Sequence, residues 1–173
     1  MKIILEGCDC VGKTSTIENL KKYFNNDCII KHFSNPPKNL SQQDQHNFCK
    51  IEYFNELNFS CFNVPIIYDR YYFGEQIYAP IYRKYSPNYI NELENRLNDE
   101  NALLILLVAD IKDLHKRFDG IFIKKEQMDK IQETYINLFE KCNLKNKIQI
   151  STSKYNVDEV AKIIYDKYKS IIL

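Results

Sequence analysis

Apolar positions along the chain follow two patterns: short continuous runs, and longer stretches where they recur every third or fourth residue. The first pattern marks strands buried on both faces and the second marks amphipathic helices. Lys2–Leu5 reads as a strand, and from Thr14 onward Ile17, Leu20 and Phe24 keep helical spacing. Cys28–Phe33 reads as a second strand, stopped by Asn35-Pro36-Pro37. A polar helix is predicted over Gln43–Leu57, then a third strand over Val64–Tyr68. Tyr71–Tyr85 puts Ile77, Ile81 and Tyr85 at helical spacing, with a kink expected at Pro80. Ser86-Pro87 has the form of an N-cap followed by a proline at the first helical position, so it predicts the start of a helix carrying Ile90, Leu93 and Leu97.

Ala102–Val108 is the most continuously apolar run and is expected at the centre of the sheet. A short helix carrying Leu114 and Phe118 should follow, then a longer one over Lys125–Cys142 with Met128, Ile131, Tyr135 and Leu138 on its apolar face. Lys147–Ser151 reads as the last strand, and Val160, Ile164 and Tyr168 stripe the last helix. Strands alternating with helices predict an α/β fold: a three-layer sandwich of a five-stranded parallel sheet with helices on both faces. With 173 residues, 45% of them hydrophobic, one domain over 1–173 suffices, and no linker, repeat or low-complexity tract divides it.

Charge narrows the partners. The 24 basic and 23 acidic residues leave a net charge of +1, which gives no global field for nucleic acid, so a small-molecule partner is expected. No apolar run approaches the roughly 20 residues of a membrane span. Glu6 interrupts the opening Met1–Leu5 run at once, too early for a signal peptide, and the expected location is cytoplasmic. The six cysteines are scattered and read as reduced thiols; Cys8-x-Cys10 lacks the second pair that a zinc site needs.

The chemistry is carried first by Gly7-Cys8-Asp9-Cys10-Val11-Gly12-Lys13-Thr14, which matches G-x-x-x-x-G-K-[ST] at every fixed place. Glycines let the loop turn its N–H groups inward around phosphate oxygens. Lys13 adds a point charge for the β- and γ-phosphates, and the Thr14 hydroxyl is a ligand for Mg²⁺. The loop leaves the first strand and opens the first helix, whose N-terminus favours anions. The expected ATP-binding set is Gly7, Cys10, Val11, Gly12, Lys13, Thr14 and Ser15. Asp69-Arg70 ends the third strand, at the sheet edge where open α/β folds gather ligands. There Asp69 would orient Mg²⁺ through water and Arg70 would clamp a second phosphate, the competing reading being a solvated surface ion pair.

Glu6-Gly7-x-Asp9-x-x-Gly12-Lys13-Thr14 with Asp69-Arg70-Tyr71 resembles the thymidylate kinase family of nucleoside monophosphate kinases, and the order of elements agrees over nearly the whole chain. The DRYYFGEQIYAPIYR stretch is also similar to thymidylate-kinase-like proteins of viral genomes. The resemblance implies a P-loop NTPase fold, ATP and Mg²⁺, and transfer of the γ-phosphate to dTMP to give dTDP. It implies that Asp9 holds the acceptor's 3′-hydroxyl, that Arg70 holds its phosphate with Tyr71 beside it, and that Tyr135 packs against the sugar. It further implies a lid at about 115–126 whose Arg117 closes over the transferring group, and a homodimer. Lys13, Asp69, Arg70 and Arg117 form the expected catalytic set. A deoxynucleoside kinase, a kinase acting on DNA and a nucleotide-dependent switch ATPase are the alternatives.

Departures from the family pattern bear on the acceptor. The second strand leads into Phe33-Ser-Asn-Pro36-Pro37-Lys38, with Lys38 where an arginine is usual, and it lacks the bidentate fork. No arginine lies between Phe33 and Asp69 to read a base carbonyl, which leaves Gln42, Gln43, Gln45, His46 or Lys50 as readers and Phe48 or Phe54 as stacking partners. Gly74 stands where a serine is common. Tyr72, Phe73, Tyr78, Tyr82 and Tyr85 form an aromatic stripe that reads as core or as a stacking wall. His32 and His115 read as structural. Cys8 and Cys10 within the loop raise the expectation of inactivation by oxidation.

Overall fold

The computed structural model describes residues 1–33, 35–61, 64–120 and 125–172. Five strands, β1 (Lys2–Glu6), β2 (Ile29–His32), β3 (Ile66–Asp69), β4 (Leu103–Val108) and β5 (Asn146–Ser151), form one parallel sheet in the order β2-β3-β1-β4-β5. Around it lie α1 (Lys13–Tyr23), α2 (Gln42–Asn55), α3 (Tyr72–Tyr78), α4 (Ile90–Asp99), α5 (Ile111–Arg117), α6 (Met128–Lys141) and α7 (Val157–Ile172). α1 packs with α7, whereas α3 and α5 both pack with α6, giving the expected layers on the two faces. Every residue of β1 is buried, as are the first five of β4, which accounts for their unbroken apolar runs.

The middle position belongs to β1, not to β4 as expected. Apolarity on both faces reports only that a strand is interior, and β4 satisfies that between β1 and β5. The register matters for function, because His32 of β2 and Leu5 of β1 both stand opposite Asp69 of β3. The carboxyl ends of these three strands therefore reach one edge of the sheet.

Two helix starts also differ from expectation. Ser86-Pro87 does not begin α4; the helix starts at Ile90, with Tyr89 as its N-cap and no side-chain cap. The chain instead leaves α3 through a π-helical turn at Ala79–Arg83 with Pro80 in its first positions, and ends it with Lys84 at φ 61. Proline lacks the N–H that would continue α3, so the kink expected at Pro80 takes the form of this wider turn. The predicted Lys125 helix opens as a short 3₁₀ turn, Lys125–Gln127, before α6. No helix among the described residues is long and apolar enough to cross a membrane.

Candidate active site

Gly7 follows β1 with φ +148, and a Cβ there would lie 2.6 Å from the Leu107 carbonyl oxygen and 2.9 Å from a Val11 methyl group. Only glycine fits that approach, so the loop can fold tightly over β4. Gly12, at φ +97, caps α1. Cys10 also adopts a left-handed conformation, φ 62, a strain of the kind that concentrates at ligand-binding loops. Lys13 is 7% exposed, and its ammonium donates to the carbonyl oxygens of Gly7 at 2.9 Å and Cys8 at 2.7 Å. Burial, then the neighbouring Arg70, lowers its pKa to about 8. An incoming phosphate would supply the opposite charge that this buried ammonium lacks.

A cleft of about 650 Å³ opens at the strand ends. Of the expected site residues, Asp9, Cys10, Gly12, Lys13, Thr14, Ser15, Phe33, Asp69, Arg70 and Arg117 line it. Thr14 and Ser15 are exposed at its phosphate-loop end. At the other end the Arg70 guanidinium pairs with the Asp9 carboxylate and donates to the Tyr135 hydroxyl at 3.0 Å. Arg70 holds φ 69, off the end of β3, and its backbone N–H donates to Leu5 O at 2.9 Å. Burial opposes its charge, but Tyr135 and Asp9 outweigh burial and the net shift of the guanidinium is upward. The Asp69-Arg70 pair is thus not a solvated surface bridge; Arg70 bonds to Asp9 at the end of the cleft.

The donor set fits a hydrated Mg²⁺. One Asp69 carboxylate oxygen is buried and has no hydrogen-bond partner among the described residues, and the Thr14 hydroxyl is open in the same cleft. No cluster of three or more His, Cys, Asp or Glu among the described residues competes as a metal cage. One carboxylate and one hydroxyl suit an ion that keeps several waters and takes the rest of its ligands from phosphate. Burial pushes the Cys8 thiol up to about 11 and raises Cys10 as well, which works against the thiolate form that oxidation uses.

Several expected residues lie elsewhere. Val11 is fully buried and Gly7 lies against β4, so both serve the loop's shape. Tyr71, 1% exposed, donates its hydroxyl to the Tyr53 carbonyl and packs against Phe33 and Tyr68 in the core, meeting only a small cavity that adjoins the cleft. Tyr135 is fully buried and meets the cleft through its hydrogen bond with Arg70. Lys38 is exposed away from the cleft lining, and Phe48 packs against the core. Neither is placed to bind an acceptor in this arrangement. Arg117 sits at the cleft but is held by Thr152, donating to its Oγ1 at 2.9 Å and its carbonyl at 3.0 Å. Residues 121–124 of the expected lid lie outside the described residues.

Glu6 was legible as an interruption of the first strand and as the opening residue of the Glu6–Thr14 motif, without a role of its own, yet it organises the acceptor end. Its Oε1 accepts from the backbone N–H groups of Tyr71 at 2.8 Å and Phe73 at 3.0 Å, binding the end of β1 to the start of α3. Full burial raises its pKa to about 7 against the pull of those two N–H groups. His32, read as structural, also lines the cleft, with Nδ1 3.6 Å from an Asp69 oxygen. A charged residue closing a buried strand was the available signal for Glu6.

No family model matches the chain. Over 187 aligned residues it is 26% identical to a curated sequence named as a probable thymidylate kinase of Methanocaldococcus jannaschii, covering 99% of this chain and 97% of that one. The YorR protein of Bacillus subtilis, solved in complex with phosphorylated GDP, superposes with a TM-score of 0.75 at 24% identity over 98% of this chain and 96% of its own. The thymidylate kinase of Candida albicans gives a TM-score of 0.68 at 14% identity, covering 98% and 91%. The fold is that of the P-loop kinases, and the full-length similarity supports reading the chain as a kinase related to the thymidylate-kinase-like group.

Proposed function

We propose that the chain is an ATP- and Mg²⁺-dependent nucleoside monophosphate kinase, with dTMP as the leading acceptor. The observation that carries this reading is one cleft with two anion sites: Lys13, Thr14 and Ser15 at one end, and Arg70 bridged to Asp9 at the other. A hydrolase would need only the first. Phosphoryl transfer asks a protein mainly for alignment and for positive charge around the moving group.

Lys13 would exchange the Gly7 and Cys8 carbonyls for β- and γ-phosphate oxygens. Arg70 would exchange one arm of its contact with Asp9 for the acceptor phosphate, freeing that carboxylate to accept from a sugar hydroxyl, while Tyr135 holds the other arm in place. Thr14 and Asp69 would hold Mg²⁺, which would offset the negative charge that develops on the phosphate oxygens during transfer. Arg117 would leave Thr152 and close over the transferring phosphoryl, excluding water. The deoxynucleoside, DNA and switch readings gain no observation over this one.

The test is ATP consumption with Mg²⁺ across dTMP, dUMP, dGMP, dCMP, dAMP, GMP, thymidine and a short DNA duplex. The guanine nucleotides belong in the set because the YorR complex carries one. Stimulation by a monophosphate is the expected result; stimulation by thymidine or DNA alone would move the acceptor, and none would reject transfer.

A further inference from the structure

Adjoining the acceptor end of the cleft is a second cavity of about 70 Å³, which shares Phe33, Asn35, Arg70 and Tyr78 with it. That is about half the roughly 150 Å³ that admits a benzene ring. A volume of that size would admit the edge of a ring whose remainder lay in the adjoining cleft, and Phe33 lines both. Two of its lining residues are an ion pair: Arg83 Nη2 donates to Glu75 Oε2, and the side chains are only 13% and 3% exposed. Tyr85 donates to the other Glu75 oxygen and receives Arg83 Nε at 3.3 Å.

The pairing leaves both groups with capacity to spare. Arg83 Nη1 has no partner among the described residues. Each Glu75 oxygen receives one side-chain hydrogen bond, and a carboxylate has about four acceptor positions. A buried ion pair adds little net stability over apolar side chains of similar volume, so stability alone does not explain a charged pair on the wall of this cavity.

Resting on the monophosphate-kinase reading, we infer that Glu75 and Arg83 read the acceptor's base, selecting a ring that shows an N–H beside a C=O. Thymine, uracil and guanine have that edge: the N–H is donated to Glu75 and the carbonyl oxygen accepts from Arg83. Cytosine and adenine show a bare ring nitrogen beside an amino group, which sets a lone pair against the carboxylate and an N–H against the guanidinium. Sites that hydrogen-bond a substrate group reject the analogue lacking it far more strongly than apolar pockets do.

The experiment compares kcat/KM for dTMP, dUMP, dGMP, dCMP and dAMP in the wild type and in Arg83→Lys, which keeps a cation against Glu75 but removes the spare arm of the fork. The first three acceptors should exceed the last two by at least tenfold, and Arg83→Lys should shrink that ratio severalfold. A pair that only supports the fold would lower all five acceptors together and leave the ratio unchanged, which overturns the inference while leaving the kinase standing. Dissociation constants for the same five nucleotides without ATP give a second reading of the ratio. If transfer fails, tighter binding of the first three still upholds base reading, and equal or absent binding overturns it.

Discussion

The two ends of the cleft are built in different ways. The phosphate end is one contiguous string, Gly7–Ser15, whose work is done by backbone conformation, one lysine and one hydroxyl. The acceptor end borrows Asp9 from that string and is otherwise assembled from side chains far apart in the chain: Phe33, Arg70 and, behind them, Tyr135. Backbone solutions are local and leave a fixed spacing in sequence. Side-chain solutions depend on which strands become neighbours, and that is decided by the order β2-β3-β1-β4-β5.

The contrast predicts that the phosphate end tolerates least. Lys13→Met should lower ATP turnover at least a hundredfold with every acceptor, as loss of a preorganised charge at a transferring phosphoryl does. An acceptor-selective loss there would blur the division between the ends. Arg70→Ala should cost the acceptor-dependent reaction at least tenfold, from a charge-assisted contact of about 1.5–3 kcal/mol. Basal ATP hydrolysis should fall less. Equal loss of both would make Arg70 part of the phosphate end.

A smaller effect concerns stability at the joint between the ends. The folded chain keeps the Glu6 proton up to about pH 7, whereas an ordinary carboxyl releases it near 4.5. Between those values the folded state binds more protons, so the Glu6 contribution is full below 4.5 and is lost as pH rises through 7. Glu6→Gln keeps an acceptor for the Tyr71 and Phe73 N–H groups and should flatten the fall in stability between pH 5 and pH 8, read as denaturant midpoints. An unchanged slope would remove Glu6 from the account. The smallest effects should come from Lys38→Ala and Phe48→Leu, each within about twofold in kcat/KM for dTMP, the usual scale for substitutions away from a site. A tenfold loss at Lys38 would restore it as a phosphate ligand.

Strand positions and the phosphate loop were readable because burial on both faces and a fixed spacing are local properties. Strand order was not, and the same apolar run that marked β4 as interior pointed wrongly to the centre. Ser86-Pro87 failed as a helix start because the π-helical turn at Ala79–Arg83 and the left-handed Lys84 displace α4 to Ile90. Tyr71 and Tyr135 carry the polarity of site residues, yet their rings are core and their hydroxyls serve neighbours within the protein. Glu75 and Arg83 were hidden in an aromatic stripe. Their one sequence signal is an acid and a base within a segment otherwise rich in tyrosine.

The central claim is transfer, and the most direct measurement follows the label from γ-³²P-ATP in the presence of Mg²⁺ and dTMP. The account predicts label in dTDP, with the Arg70→Ala chain making at least tenfold less. Label appearing only as inorganic phosphate, at a rate indifferent to dTMP and to the other monophosphates, would contradict it.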